Sequence, residues 1–422
     1  LEKNNLPQGW EKVQLDNISE IVTGNTPSKK NIKFYGGDIS YFKPTDLNQG
    51  FYVKDSNDKL SKLGLEHARA IPKKSTLVTC IGATIGKTGF IRTTGATNQQ
   101  INSLIPNTSL IIPELLYYWC ISPQFQESIL ENSSATTMPI INKNKFSKLI
   151  VFLPPRNEQK RIVNKIEELF SIIDSIEQFL IQTENHLKFY YQSILKSYFD
   201  SNYEILKLND VCDLLSGKAF RKSEYSTEGV RLFQIANVSF GNIIWNDIAY
   251  LPFEYLKKYP ELVLKEGDVI MALNRPIIRR HIKVGMLSSN DVPSILYQRV
   301  GKFILSNNII SKYLFYFLQS SLFIKQLESS LQGIDIPFIN KSKLMSFLIP
   351  LPTLKEQKII VQKIEEKFTL VQNTQNSIKL LLLQIPLIKN TILNQAFEGK
   401  LVSQDPNDEP AEILLQKIKQ EK

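Results

Sequence analysis

Cysteine and histidine are scarce, with three of each in 422 residues. Cys80, Cys120 and Cys212 lie too far apart for a Cys-x-x-Cys metal site, and three thiols build no disulfide framework. The setting they imply is reducing and cytoplasmic. His67, His186 and His281 do not fall at metal-ligand spacings. No apolar run approaches the roughly 20 residues of a membrane span, and the opening residues LEKNNLPQGW lack a signal-peptide core. A membrane partner is therefore not expected.

Catalytic motifs are equally hard to find. Gly82-Ala-Thr-Ile-Gly86-Lys87-Thr88 looks like a phosphate-cradling loop, but that loop needs four residues between its glycines and this one has three. There is no Gly-x-Ser-x-Gly elbow, and no Asn/Asp-Pro-Pro-aromatic motif of the amino-methyltransferases. Leu153-Pro154-Pro155-Arg156 lacks both the amide and the aromatic. The paired carboxylates Glu167-Glu168 recur as Glu365-Glu366, which suits a solvated or partner-binding face better than acid–base work.

What the chain does have is a long-period repeat. LPPRNEQKRIVNKIEELF at 153–170 returns as LPTLKEQKIIVQKIEEKF at 351–368, with twelve of eighteen positions identical. Pro139–Lys145 faces Pro337–Lys343 at the same offset, and LLYYW (115–119) faces YLFYF (313–317). Further upstream, VQLDNISEIVTG (13–24) resembles LKLNDVCDLLSG (206–217) at a slightly different offset. Such a period marks a duplicated domain-sized unit rather than a solenoid.

The repeated segments read as long amphipathic helices. Ile162, Ile166, Leu169, Ile173, Ile176, Leu180, Thr183, Leu187, Tyr190 and Ile194 follow steps of four and three. Ile360, Ile364, Lys367, Val371, Thr374, Ile378, Leu381, Ile385, Ile388 and Ile392 do the same. That spacing predicts an antiparallel coiled-coil pair burying both seams. Each helix of about 40 residues would be roughly 60 Å long. Pro386 is expected to kink or weaken the second. Before each helix lies a region with β-rich runs (39–43 and 76–81, then 230–235 and 268–273), each closed by an aromatic helix, about 113–130 and 312–331. Each is a mixed α+β globule. Residues 401–422 form a polar turn and a short helix opened by Pro410.

The net charge of +10 is unevenly shared: residues 1–152 and 201–350 carry +5 each, 153–200 carries −1 and 351–422 carries +1. A basic surface favours a polyanion. Candidate phosphate and base contacts in the first globule are Lys29, Lys30, Lys33, Lys73, Lys74, Lys87, Arg92, Gln99 and Gln100. In the second they are Lys218, Arg221, Lys222, Asn237, Arg275, Arg279, Arg280, Lys283, Gln298 and Arg299. Arg and Lys can neutralise phosphate or reach guanine, and Asn and Gln can read adenine.

Two variable globules alternating with two near-identical helices, each opened by Leu-Pro…Glu-Gln-Lys-x-Ile-Val-x-Lys-Ile-Glu-Glu-x-Phe, resemble one known family. So do Leu6-Pro7-Gln8-Gly9-Trp10 and Ala396-Phe397-Glu398-Gly399-Lys400-Leu401-Val402 near the two ends. It is the specificity (S) subunit of type I restriction–modification enzymes, and the resemblance spans essentially the whole chain. It implies two target recognition domains (1–152 and 201–350) related by a pseudo-two-fold axis, two spacer helices (153–200 and 351–400) and a tail (401–422). Each domain would read half of a bipartite, asymmetric duplex DNA site, with the helix pair setting the spacer. Two methyltransferase subunits would dock on the repeated regions, for which Glu158, Gln159, Glu167, Glu168, Glu356, Gln357, Glu365 and Glu366 are the candidates. Restriction subunits would join them. The chain itself would be non-catalytic and free of cofactors, with S-adenosylmethionine, ATP and magnesium held by the partners. A coiled-coil scaffold binding RNA or protein, an autonomous nuclease or methyltransferase, and a specificity subunit of a related restriction class are the alternatives.

Overall fold

The computed structural model describes residues 6–47, 49, 51–134, 138–200, 202–279 and 281–420. The chain divides into two compact units, Leu1–Phe179 with Leu380–Lys422, and Leu180–Lys379. The long helices Arg156–Phe199 and Leu354–Phe397 each contribute one half to each unit. Among the described residues, no helix is long and apolar enough to cross a membrane.

Unit 1 holds two larger sheets and a two-stranded one that pairs 11–14 with 150–153. The central one has strand order 19–23, 101–106, 76–79, 88–91, 52–53, and the outer one 58–60, 35–42, 95–97, 70–71. Unit 2 repeats this plan: a central sheet of 212–216, 300–305, 269–272, 284–286, and an outer one of 249–251, 230–233, 294–296, 263–264. The outer sheets agree even in direction, since 35–42 runs parallel to 95–97 as 230–233 does to 294–296. All four strand runs read from the sequence are present. The aromatic helices are not continuous as expected: they break at Ser122 and Ser320, giving Pro113–Ile121 with Pro123–Asn132, and Ser311–Leu318 with Ser321–Glu328. Each serine hydroxyl accepts the N–H three residues on, from Phe125 or Phe323, and so caps a new helix.

The long helices meet in antiparallel fashion within each unit. In unit 1 the Lys389 ammonium lies 5.6 Å from the Phe170 ring centre and donates to Asp174 at 2.7 Å. In unit 2 the equivalent positions are Tyr191 and Phe368, with ring centres 4.7 Å apart. Half of the expected seam is right: Ile166, Ile173, Leu180 and Ile194 are buried, as are Ile364, Val371, Ile378 and Ile385. The alternating positions are displaced by one residue. Ile176 and Tyr190 are 49% and 52% exposed, and Lys367, Leu381 and Ile388 also face out, while Phe170, Tyr191, Phe368, Leu382 and Lys389 turn inward. Leu169/Phe170, Tyr190/Tyr191 and Leu381/Leu382 offer apolar residues at both candidate positions, so spacing alone cannot choose there, whereas at 367/368 the apolar residue, Phe368, is the one that turns inward. The choice comes from outside the helices, where Tyr118 packs edge-on against Phe170 at 5.8 Å and Tyr316 against Phe368 at 5.6 Å. Exposed Lys367 lays its ammonium 5.0 Å from the Tyr198 ring centre.

Pro386 does not interrupt its helix. Its ring lies on the exposed side, and neighbouring Ile385 is buried. Packing of the surrounding turns outweighs the roughly 3 kcal/mol that an interior proline costs. The three cysteines are buried free thiols, and burial raises Cys80 and Cys212 to about 12.

The first turn of each long helix locks it to its domain. The Gln159 amide accepts the Ile112 N–H at 3.0 Å and donates to the carbonyls of Leu110 at 2.9 Å and Pro154 at 3.0 Å. Gln357 does the same with Ile310 (3.0 Å), Asn308 (2.8 Å) and Pro352 (2.9 Å). Both side chains are fully buried. Replacing Gln159 with leucine keeps the volume but orphans three backbone groups. A loss of about 2–4 kcal/mol in unfolding free energy is expected, read as a lower urea midpoint.

Candidate nucleic-acid interface

Strand register places the loops. In unit 1, Asn102 lies opposite Thr23, Ile101 opposite Thr79 and Val78 opposite Thr88. The segments following Thr23, following Thr79 and preceding Ile101 therefore leave the central sheet at one end. They carry Lys29 and Lys30, the Gly82–Lys87 loop, and Gln99 with Gln100. The loops are stitched together: the Thr26 hydroxyl donates to the Gln99 side-chain carbonyl at 2.6 Å, and the Cys80 N–H to the Gln100 carbonyl at 2.7 Å.

Unit 2 places its counterparts the same way. Ser216 lies opposite Gly301, Ala272 opposite Val300 and Met271 opposite Val284. The loops at that end carry Lys218, Arg221 and Lys222, then Arg275 and Arg279, then Gln298 and Arg299. The Gln298 N–H donates to the Lys218 carbonyl at 3.1 Å, and the Leu273 N–H to the Arg299 carbonyl at 2.9 Å. Lys218 also sits 4.9 Å from the Tyr259 ring centre. Where unit 1 has a tight glycine loop, unit 2 has a hairpin, Ile277–Ile278 with His281–Ile282, turning at Arg279. Arg280 lies outside the described residues.

Three arginines here hold left-handed backbone: Arg275 (φ 45°), Arg279 (φ 49°) and Arg299 (φ 66°). The comparison at Arg275 is direct. Its N–H donates to Pro337 at 2.6 Å as the N–H of Gly82 (φ 98°) donates to Pro139 at 2.9 Å. Glycine adopts this conformation freely, and an arginine pays about 1 kcal/mol or more. Such strain persists at sites where the side chain is needed.

Comparison with known proteins decides the family. The model of the type I restriction modification DNA specificity domain matches twice, at residues 7–185 and 200–381. The chain belongs to the specificity subunits of type I restriction–modification enzymes. It is 32% identical over 421 residues to the MjaVIII specificity subunit of Methanocaldococcus jannaschii, covering 94% of each chain. A 165-residue stretch, 39% of this chain and 28% of the relative, is 31% identical to the EcoAI specificity subunit of Escherichia coli. In fold it is similar to the HsdS subunit from Thermoanaerobacter tengcongensis, with a TM-score of 0.66 at 20% identity, covering 94% of this chain and 98% of that one. A chain from a structure of type I R-M complex assembly gives 0.67 at 19%, covering 94% and 99%. The two domains of this specificity subunit are target recognition domains.

Several sequence-based candidates in the specificity subunit lie away from these loops. Lys73, Lys74 and Arg92 leave the central sheet at its opposite end, because Thr76 pairs with Phe90 and Leu104 there. Lys74 pairs with Glu114 at 3.3 Å, and Arg92 stacks on Tyr52 at 3.3 Å. Lys33 is exposed in a short turn, Ile32–Phe34. Asn237 is no base reader: it is buried, with its side-chain carbonyl accepting the Gln234 N–H and its NH2 donating to Ile244. Lys283 is half-buried and donates to the Ile235 carbonyl at 2.9 Å, and burial lowers its pKa. It anchors the base of the hairpin.

The proposed docking residues divide likewise. Gln159 and Gln357 are internal locks. Glu158 is buried too, accepting the Trp10 indole N–H at 3.0 Å, and burial raises its pKa. Around it, Arg161 pairs with Asp408 at 2.6 Å and the Ala411 N–H reaches the Gly9 carbonyl at 2.9 Å. The tail thus covers Glu158, whereas Glu356 is exposed and closes a capping box with Thr353. Glu167, Glu168 and Glu366 are exposed, and Glu365 receives Lys312 at 2.6 Å. Spacing did not signal which carboxylates the tail would cover.

Arg275→Gly tests the strained position. Relief of strain offsets the entropy of glycine, so stability should stay within about 1 kcal/mol. Affinity for the cognate duplex should fall about tenfold or more at fixed salt, as measured by fluorescence anisotropy.

Proposed function

We propose that the two loop ends each read one half of a bipartite, asymmetric DNA site, and that the paired long helices set the spacer between the halves. The supporting observation is the contrast within the duplication. The loop ends differ in length and chemistry between units, while the helix-locking glutamines make the same three bonds in both. Unlike loops suit unlike half-sites, and like helices suit two copies of one partner. Residues 1–152 and 201–350 are the recognition domains in this reading, with 153–200 and 351–400 as spacer helices and 401–422 as tail. In this reading the lysines and arginines of the loops neutralise phosphate, while Gln99, Gln100, Gln298, Arg275, Arg279 and Arg299 contact base edges.

Two methyltransferase subunits dock on the helices. In unit 1 the contact extends beyond the glutamates of the first turns, because Ile172, Ile176, Leu380, Leu383 and Leu387 are all exposed there. Large apolar side chains left exposed along these helices suit a protein interface. Restriction subunits join the complex. The chain performs no chemistry itself, and S-adenosylmethionine, ATP and magnesium act in the partner subunits, in the cytoplasm.

Native mass spectrometry should give two methyltransferase subunits per chain. Ile176→Asp combined with Leu383→Asp, confined to unit 1, should leave one. Two retained subunits would contradict the assigned face. The purified chain alone should transfer no methyl group to duplex DNA. Without restriction to a mapped bipartite sequence in competition assays at constant salt, the reading fails.

A further inference from the structure

The second recognition domain exposes an apolar loop among its arginines. Ile334 is 98% exposed, and Ile336 and Phe338 are also open to solvent. This loop is built, not loose. Gln332 and Phe338 exchange backbone hydrogen bonds at 2.9 and 2.8 Å, and the Ile339 N–H donates to Leu273 at 3.0 Å. Gly333 supplies a left-handed turn (φ 84°). Arg275 straps the loop to the hairpin: its N–H donates to Pro337 at 2.6 Å and its guanidinium reaches the Asp335 carbonyl at 3.4 Å. Asn274 adds a bridge to Phe338. The hairpin itself bears exposed Ile278 next to Arg279.

An isoleucine held in water on a loop strapped to an arginine-bearing hairpin needs an apolar target within a polyanion. Base edges in duplex DNA offer one such group, the thymine 5-methyl in the major groove, which also has the width to admit a two-stranded β-ribbon. Resting on the reading of this end as a DNA interface, we propose that the hairpin enters the major groove and that Ile334 packs against a thymine methyl. The half-site read by the second domain then contains a thymine beside the base pairs reached by Arg275 and Arg279.

Deoxyuridine substitution isolates this contact, since it removes the methyl and nothing else. The assembled complex with its methyltransferase subunits is titrated against the duplex defined by adenine-methylation mapping, with each thymine replaced singly by uracil. One replacement should weaken binding about fourfold, the worth of one buried methyl at about 0.8 kcal/mol. In Ile334→Ser, whose side chain touches no core, that replacement should have no effect, and binding to scrambled duplex should keep its affinity and salt slope. The proposal is overturned if no uracil effect depends on Ile334. It is equally overturned if Ile334→Ser lowers methyltransferase occupancy with DNA affinity unchanged, which would make the loop a protein contact. If the unsubstituted complex does not prefer the mapped duplex to a scrambled one, the DNA-reading assignment itself falls. If it does prefer it but ignores every uracil, only the methyl contact is lost.

Discussion

A glutamine amide has two donor hydrogens and an acceptor oxygen on one rigid plane, and at Gln159 and Gln357 all are engaged inside the protein. Each ties together three separate pieces of chain: the turn before the aromatic helix, the proline turn before the long helix, and the helix itself. Whatever a recognition domain does with its loops, its position on the helix is set here. Tampering with any piece orphans buried backbone groups at about 1–3 kcal/mol each, against a total stability of roughly 5–15 kcal/mol. That penalty explains why Glu-Gln-Lys and its flanks stand almost unchanged in both copies, whereas most of each domain does not.

With the frame fixed by this lock and by strand register, the loops at the far end of each central sheet carry little structural duty. They differ where the frame does not. A tight turn between Gly82 and Lys87 in one unit is a longer, arginine-bearing hairpin in the other, yet both are held by an N–H to a proline carbonyl from the same following loop. The chemistry changes on a constant mount.

How much of this was legible in the sequence depends on what sets each feature. The duplication, the two long helices and the mixed globules follow from periodicity and identity, which are local properties. The seam came out half right, because pairs such as Leu169/Phe170 and Leu381/Leu382 are apolar at both alternative positions, and Tyr118 and Tyr316 on other elements pack against Phe170 and Phe368. The breaks at Ser122 and Ser320 had a readable signal, a capping serine, and Pro123 follows the first of them. The agreement of the outer sheets had none: their strands are short, their sequences have drifted, and only pairing directions reveal the common plan. Glu158 is the plainest miss. Its repeat partner Glu356 is exposed, and nothing in the matched segment shows that a tail more than 200 residues away would cover the first and leave the second open.

Charge misled in a similar way. An excess of lysine and arginine rightly points to a polyanion, but it cannot say which cations share one surface. Lys73, Lys74 and Arg92 stand near Lys87 in sequence, yet register sends them to the opposite end of the sheet. Lys283 is within the densest basic cluster and still directs its ammonium inward. Arg275 is the reverse case. Its backbone conformation suits glycine, the equivalent position in the other copy is glycine, and an arginine stands there at a cost that packing does not repay, since it is exposed. A strained, solvent-facing residue that glycine could replace at little cost in stability argues for a use outside the fold, and that argument is stronger than any count of charges.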